Sequence, residues 1–304
     1  MRAWSHDRFT FPLPSGHRFP LGKYRLLRER VVADGLLTAA DVREPAAVDW
    51  EELALVHDRR LLDRIRIGAM TRREQQALGL PWSPALVDRA RHSTQGTIEA
   101  GRDALGGGVG INLGGGTHHA GRDVSRGYCL VNDVAVAATL LRRQRLAGRV
   151  LVVDCDVHQG DGTAQIFASV PEVFTLSLHG ARNYPFTRVP SDLDVDLPSG
   201  TGDEAYLSAL DRALDVALSR SRPELAFYLA GADPWHGDRL GRLALTKAGL
   251  RARDELVLAR LLGAGAAVAV VLAGGYANDI RDTVDINAGT VAAASKRMRT
   301  PRPL

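Results

Sequence analysis

Residues 150–164 read VLVVDCDVHQGDGTA, and they carry the clearest indication of both fold and function in the chain. Four apolar residues, as expected for a buried strand, lead into Asp154, Asp156 and His158. Side chains alternate along an extended strand, so these three ionisable groups should project to the same side. Two buried carboxylates close together repel each other unless a cation or a set of hydrogen bonds compensates their charge. The stretch therefore predicts a strand that ends in a polar site.

Similar apolar runs recur along the chain, and together they predict an α/β fold. Runs of this length without alternation are typical of strands buried on both faces of a parallel sheet. Helix-like segments separate them, as in a doubly wound domain. We predict strands over 109–113, 150–154, 173–178, 225–230 and 267–273, and helices over 83–105, 131–148, 203–220 and 246–265. Since no repeat, low-complexity tract or linker interrupts this series, we expect a single domain over residues 1–304, with a mostly parallel sheet and helices on both faces.

Four of the predicted strands are followed by ionisable or phenolic residues. The carboxyl ends of parallel strands meet at one edge of the sheet, where α/β proteins bind their ligands. Asp156 and His158 could there supply two ligands of a divalent ion, and Asp233, after the strand over 225–230, could supply the third. This set of oxygen and nitrogen ligands suits zinc, and iron(II) accepts it as well. Asp154 would then accept a hydrogen bond from a histidine and orient it. Turn-capping aspartates and a hydrogen-bonded core histidine are the alternative interpretation.

Two adjacent histidines, His118 and His119, follow the strand over 109–113 in the stretch GGGTHHAG. Adjacent side chains tend to diverge, so two separately hydrogen-bonded histidines are more natural than two ligands of one ion. Asp154 and Asp161 are the available carboxylate partners. A His–Asp pair fixes the tautomer and tunes the basicity of the imidazole for proton transfer near neutral pH. We therefore expect a general base here, with ordinary turn residues as the alternative.

The composition narrows the class of protein. The net charge is +4, but the basic residues are nearly all arginines scattered along the chain, without interleaved aromatic residues or zinc-finger spacing. We therefore expect no specific nucleic-acid partner. The chain has only two cysteines, Cys129 and Cys155, and it shows neither an apolar leader nor a segment of membrane-spanning length. These features predict a cytoplasmic protein with no membrane partner, and the Ala, Gly and Arg bias is typical of a bacterial source.

Several motifs in a fixed order resemble the histone deacetylase family, which has the arginase–deacetylase fold. They are GGGTHHA (114–120), RGYCLVNDVAVA (126–137), VDCDVHQGDGTA (153–164), LSLHG (176–180), AGADPWHGDRLG (230–241) and LAGGY (272–276). The resemblance runs from about residue 15 to about residue 295 and so covers nearly the whole chain. GHRFPLGKY (16–24) and the segment 237–257 resemble the class IV branch and its bacterial relatives most.

This resemblance implies a zinc-dependent hydrolase that removes an acyl group, acetyl or longer, from an acylated amine. The expected substrate is the acyl-lysine of a protein, and a small acylated amine such as an acetylpolyamine is the alternative. The resemblance assigns the zinc ligands to Asp156, His158 and Asp233. It assigns the catalytic histidines to His118 and His119, partnered by Asp154 and Asp161 respectively.

Further residues follow from the same resemblance. Tyr276 is expected to polarise the acyl carbonyl, and the carbonyl of Gly127 to accept the amide N–H of the substrate. Tyr128 and Tyr184 are expected to line the acyl-lysine tunnel. A structural potassium ion is implied as well, held mostly by backbone carbonyls as hard cations prefer, at Asp154, Asp156, His158, Ser177 and Leu178.

The chain also departs from the family pattern in ways that keep alternatives open. Gln159 stands where class I members have a second histidine, and no clear counterpart exists of the rim aspartate that grips a peptide backbone. Protein and small-molecule substrates are therefore both open. Ureohydrolases of the same fold bind two manganese ions and need further carboxylates, whereas position 160 is glycine here. A basic nucleic-acid-binding or corepressor-like module with a vestigial site is the alternative from another class.

Overall fold

Eight strands form one sheet in the computed structural model, which describes residues 1–299. In chain order the strands are β1 (Ala3–Trp4), β2 (Val42–Arg43), β3 (Val109–Asn112), β4 (Val150–Asp154), β5 (Val173–Gly180), β6 (Leu193–Leu197), β7 (Leu225–Leu229) and β8 (Ala267–Val271). Their order across the sheet is β2-β1-β3-β8-β7-β4-β5-β6, and every pairing within the described residues is parallel. The predicted parallel α/β fold is confirmed. Residues 300–304 of the predicted 1–304 domain lie outside the described residues.

Helices connect the strands. They are α1 (Gly22–Ala33), α2 (Trp50–Leu53), α3 (Arg59–Ile67), α4 (Arg72–Leu78), α5 (Pro84–Gly107), α6 (Asp133–Arg143), α7 (Asp161–Phe167), α8 (Asp203–Ser221), α9 (Lys247–Gly263) and α10 (Ile280–Arg299). The four helices predicted from the sequence correspond to α5, α6, α8 and α9. The largest difference in bounds is at α6, which ends at Arg143, before the predicted position 148. Its capping residue Gln144 is followed by Arg145 at a φ of +58°, which turns the chain out of the helix.

The two faces of the sheet bury separate hydrophobic cores. On β4, Val150 and Val152 pack into one core, and Leu151 and Val153 pack into the other. The first core is completed by apolar residues of α5 and α6, and the second by those of α8, α9 and α10. The central strands β4, β7 and β8 are buried at every position, which explains their unbroken apolar sequences.

Three strands were not predicted, and each lies toward an edge of the sheet. β1 and β2 have two residues each, too few to produce a pattern. β6 has the sequence LDVDL, in which aspartates alternate with apolar residues, and four of its five positions are partly or fully exposed. An edge strand with one solvated face alternates in this way, whereas the prediction relied on continuous apolar runs.

Because the strands are parallel, the segments that follow β3, β4, β7 and β8 all leave the same edge of the sheet. These segments contain each of the metal-ligand, histidine and tyrosine positions expected after a strand end. Within residues 1–299, no helix combines the length and apolar character needed to cross a membrane.

Candidate active site

The loop after β3 carries the two histidines, and the carboxylate of Asp133 holds its backbone. Asp133 lies in the first turn of α6 and is buried. It accepts hydrogen bonds from the Gly116 N–H (3.0 Å) and from the N–H and hydroxyl of Thr117 (2.7 and 2.6 Å). Asn132 donates from its side chain to the Ala120 carbonyl at 3.1 Å on the other side of the pair. This Asn-Asp pair lies in the motif RGYCLVNDVAVA (126–137), and its role was not predicted from the sequence.

Each histidine contacts its own carboxylate. His118 Nδ1 lies 2.6 Å from Asp154 Oδ2, and His119 Nδ1 lies 2.6 Å from Asp161 Oδ1. The two rings are 4.1 Å apart between centroids and both are buried. The pairing expected from the sequence is thus the one in the structure, with one carboxylate per histidine.

The two rings have opposite electrostatic environments. Burial acts to lower the pKa of His118, but the charges of Asp154 and Asp156 outweigh it and raise that pKa to about 9. Burial also lowers the pKa of His119, and repulsion from His118 adds to this, so its pKa falls to about 4 despite Asp161. His119 is therefore the ring that stays neutral and can accept a proton at neutral pH.

Arg126 supports the second pair, a role that was not predicted from the sequence. Its guanidinium lies 2.7 Å from Asp161 Oδ2, and its Nε donates to the His119 carbonyl at 3.1 Å. One side chain thus contacts both the carboxylate partner and the backbone of His119. No local pattern reveals this contact, since Arg126 and Asp161 are 35 positions apart and Arg126 resembles any other surface arginine in sequence.

Asp156, His158 and Asp233 form a buried cluster whose ligand atoms lie within 4.8 Å of one another. His158 Nδ1 is 2.9 Å from Asp156 Oδ1 and 3.4 Å from Asp233 Oδ2. β4 ends at Asp154, as predicted, so Asp156 and His158 are presented by the loop that follows and not by the extended strand itself. A carboxylate holds the backbone of this loop in place: the N–H of Val157 donates a hydrogen bond to Asp233 Oδ1 at 2.9 Å.

The chemistry of this cluster fits a divalent cation. Asp233 Oδ2 is buried and has no hydrogen-bond partner within residues 1–299. Burial and the charge of Asp156 raise the pKa of Asp233 to about 7. Burial acts to lower the pKa of His158, but the nearby carboxylates of Asp156 and Asp233 raise it to about 10, so a proton is favoured between the two carboxylates. A cation at the same place would neutralise both carboxylates and accept the imidazole lone pair.

Tyr276 lies beside this cluster and is fixed through its backbone. Its N–H donates to Asp238 Oδ2 at 2.6 Å, and its carbonyl accepts from Arg239 Nε at 2.8 Å. The ring is buried, with its centroid 6.5 Å from that of His158. Burial, reinforced by the charges of Asp156 and Asp233, raises the pKa of the Tyr276 hydroxyl well above its ordinary value. The hydroxyl therefore keeps its proton and can donate a hydrogen bond.

A cavity of about 360 Å³ reaches these residues, and the three predicted tunnel residues Gly127, Tyr128 and Tyr184 line it together with His119, His158 and Tyr276. The Tyr128 ring lies 5.9 Å from that of Tyr276, whereas the Tyr184 ring lies 4.9 Å from that of His119. The two tyrosines therefore form different parts of the cavity wall, Tyr128 beside Tyr276 and Tyr184 beside His119.

The expected potassium ligands Ser177 and Leu178 lie on β5. Ser177 is the sheet neighbour of Asp154, and its hydroxyl lies 2.8 Å from His179 Nδ1. The residues are therefore adjacent to the cluster from which the other potassium ligands were expected. The ion itself stays a prediction.

Comparisons with known proteins identify the family. A model described as "Histone deacetylase domain" matches residues 17–288. An uncharacterised protein of Picosynechococcus sp. strain PCC 7002 is 44% identical over 279 residues, covering 92% of this chain and 93% of that protein. A histone deacetylase-like amidohydrolase of Pseudomonas aeruginosa is 30% identical over 283 residues, covering 87% and 74%.

The fold agrees with this match. The crystal structure of an "HDAC homolog complexed with SAHA" superposes with a TM-score of 0.82 at 23% identity, covering 97% of this chain and 84% of that one. The arginase–deacetylase type of fold expected from the sequence is thereby confirmed. The chain belongs to the histone deacetylase family, and this membership implies a deacylase, an enzyme that hydrolyses amides of acylated amines.

Proposed function

We propose that this chain is a zinc-dependent deacylase that removes an acyl group from the lysine side chains of proteins, with iron(II) as the alternative metal. One observation carries the proposal: two buried His–Asp pairs and Tyr276 adjoin the Asp156–His158–Asp233 cluster next to a cavity of about 360 Å³. A proton acceptor, a hydroxyl donor and a set of metal ligands are thus available to one substrate. A small acylated amine is the second candidate substrate.

Asp156, His158 and Asp233 would hold the metal, because their ligand atoms converge and Asp233 Oδ2 has no other partner in the described chain. When bound, a zinc ion supplies Lewis acidity to the acyl carbonyl and lowers the pKa of a coordinated water. Asp154 accepts the hydrogen bond of His118 and thereby orients that ring toward Asp156.

His119 is the proposed general base, because its lowered pKa keeps the ring neutral and Asp161 fixes its Nδ1. It takes the proton of the attacking water at its other nitrogen, Nε2. His118, with its raised pKa, keeps a positive charge beside it. The amine leaves after it receives a proton from this histidine pair, and the products are a carboxylate and a free amine.

The Tyr276 hydroxyl donates a hydrogen bond to the acyl oxygen as negative charge develops there, which is oxyanion-hole stabilisation. The Gly127 carbonyl is proposed to accept the substrate amide N–H, while Tyr128 and Tyr184 hold the acyl-bearing chain in the cavity. A structural potassium ion at Asp154, Asp156, His158, Ser177 and Leu178 is part of the proposal. So are the assignment to the class IV branch, a bacterial source, a single domain and a cytoplasmic location, the last supported by two cysteines that are both buried and unpaired.

A binuclear ureohydrolase site fits less well. At position 160 a Cβ would come within 2.4 Å of Asp154 Oδ2, so this position has no room for the further carboxylate that such a site requires. A nucleic-acid-binding module with a vestigial site is disfavoured because none of the proposed ligand, base and hydroxyl positions is missing.

The test is hydrolysis of a panel of lysine peptides, acetyl to myristoyl, and of acetylpolyamines by the protein reconstituted with zinc or iron(II). We expect amine release from at least one acyl-lysine peptide with about one metal ion per chain, and Asp233→Ala should lose both the metal and the activity. Two ions per chain, or a fully metallated and active Asp233→Ala protein, would contradict the assignment of the site.

A further inference from the structure

Two arginines, Arg182 and Arg242, line the same cavity as His119 and Tyr276. Both are exposed at its outer part, since Arg182 lies in the segment between β5 and β6 and Arg242 in the segment between β7 and α9. Among residues 1–299, the cavity is lined by no other arginine and by no lysine, aspartate or glutamate. The lining of the entrance therefore carries positive charge, and no acidic residue among the described residues lines it.

Other arginines of the same two segments are engaged, which sets these two apart. Arg188 pairs with Asp196 at 3.0 Å and donates to the Gly180 carbonyl. Arg239 donates to the carbonyls of Tyr276 and Arg18. The side chains of Arg182 and Arg242 make no hydrogen bond or ion pair with any residue in the described part of the chain. Arg188 and Arg239 thus bind groups of the protein itself, whereas the guanidinium groups of Arg182 and Arg242 are available to bind a ligand.

The acids near these segments are already engaged. Asp238 accepts hydrogen bonds from the backbone N–H groups of Leu240, Gly241 and Tyr276. Asp196 contacts Arg188 and His179. Neither carboxylate forms an ion pair with Arg182 or Arg242 among the described residues.

The two segments are also tied together. The buried Asn183 donates from its side chain to the Leu240 carbonyl at 2.8 Å, which joins the residue next to Arg182 to a residue two positions before Arg242. The two arginines are thus carried by a connected part of the rim, on which like charges face solvent. An anion placed there would be attracted by this positive charge, and a guanidinium group binds carboxylate or phosphate with two parallel hydrogen bonds.

We infer that the substrate is an acylated amine that carries an anionic group, a carboxylate or a phosphate, just outside the cavity on the amine side. The inference rests on the proposed deacylase function and narrows its substrate class. A cationic acetylpolyamine would be repelled by Arg182 and Arg242, so it becomes the least suitable of the candidate substrates. An acyl-lysine flanked by acidic residues and a small acylated amino acid with a free carboxylate share the required chemistry.

The experiment compares matched substrates on the metal-reconstituted full-length protein. Three acyl-lysine peptides differ only in the two flanking residues, which are aspartate, alanine or lysine, and free Nε-acyl-lysine is compared with its carboxamide. We expect kcat/KM to be about three- to tenfold higher for the aspartate than for the lysine peptide, because exposed ion pairs are weak. The difference should lie mainly in KM and shrink as salt is raised from 0.05 to about 0.5 M. If kcat/KM differs more between free acyl-lysine and its carboxamide than between the aspartate and lysine peptides, the substrate is a small acylated amino acid and its own carboxylate is the anion that is bound.

Substitutions assign the effect to residues. Arg182→Glu with Arg242→Glu should reverse the order of the aspartate and lysine peptides, and the milder Arg182→Gln with Arg242→Gln should abolish the preference. Arg143→Glu is the matched control, because Arg143 is exposed at the end of α6, at the opposite edge of the sheet, and the preference should persist in it. Melting temperatures check that the variants fold.

The failures are distinguishable. Turnover of all peptides at equal kcat/KM, a preference for the lysine peptide, or an acidic preference that survives in the double glutamine variant would overturn this inference alone. Turnover of no acyl-amine by the metallated protein would overturn the proposed function and this inference with it.

Discussion

Gly274 is the residue at which a single methyl group should disable the proposed metal site without changing any ligand. It follows β8 and its N–H donates to Asp156 Oδ2 at 2.7 Å. A Cβ built at this position would lie 2.0 Å from Asp233 Oδ2 and 2.5 Å from Asp156 Oδ2. Gly274→Ala therefore places a methyl group against both carboxylates that we assign as ligands.

The size of the effect follows from these distances. Cβ atoms essentially never approach another heavy atom within 3.0 Å, so the Asp233 oxygen at 2.0 Å must move by about 1 Å, and that of Asp156 by about half as much. Ligand distances in metal sites hold to about ±0.2 Å. Loss of a residue that merely supports a ligand already weakens metal binding by about 10–100-fold. Displacement of two ligands should cost more, and we expect the zinc Kd to rise at least 100-fold.

The assay is a zinc titration against a chromophoric chelator, together with the metal content of the purified protein. Gly263→Ala is the matched control, because a Cβ at Gly263 meets nothing within 4 Å, and it should bind zinc like the wild type. Circular dichroism distinguishes loss of the site from loss of the fold. If Gly274→Ala binds one zinc ion per chain with wild-type affinity, Asp156 and Asp233 are not a shared metal site.

Three further predictions test the chemistry and the electrostatics. His119→Ala removes the proposed base but no ligand, so metal content should stay near one while kcat falls about 10²–10⁴-fold; loss of the metal would instead make His119 a ligand. Tyr276→Phe keeps the ring and should lower kcat by about 10²–10³, with metal content and Tm near wild type, whereas activity within about threefold of wild type would exclude the oxyanion role. Burial lowers the pKa of His57 from 6.5 to about 4, so between these pH values only the unfolded chain takes up the proton. The stability that neutral His57 contributes is fully present above pH 6.5, and the free energy of unfolding should fall by about 3 kcal/mol as the pH is lowered toward 4. Urea denaturation of His57→Gln should not show this part of the fall. Equal dependence of the unfolding free energy on pH in both proteins would refute the prediction.

The parts of the fold that could be predicted are those that one local pattern dictates. The strands corresponding to β4, β7 and β8 lie in the middle of the sheet, where both faces are covered and every residue must be apolar. β6 escaped prediction because its alternating LDVDL reflects a half-solvated edge. β1 and β2 are defined only by their partners, since a two-residue strand has no periodicity of its own.

The candidate site divides in the same way. Residues that directly follow a strand, such as Asp156 and Tyr276, could be placed at one edge of the sheet from topology alone. Residues that act through distant contacts could not: Arg126 reaches Asp161, and Asp238 reaches the N–H of Tyr276, 38 positions away. The position of Tyr184 against His119 depends on a long segment between β5 and β6 whose path no periodicity sets.

β4 and β7 are neighbours in the sheet but lie far apart in the chain, and this determines when the site can form during folding. These strands pair directly, but the bond from the Val157 N–H to Asp233 Oδ1 joins residues 76 positions apart, and β5, β6 and α8 lie between them in the chain. Contacts of such long range form late, because the chain entropy must be lost before they contribute. An ion that requires Asp156 and Asp233 together therefore has no site in the early, partly paired chain. Zinc added during refolding should leave the folding rate unchanged and act afterwards, by slowing unfolding of the completed sheet.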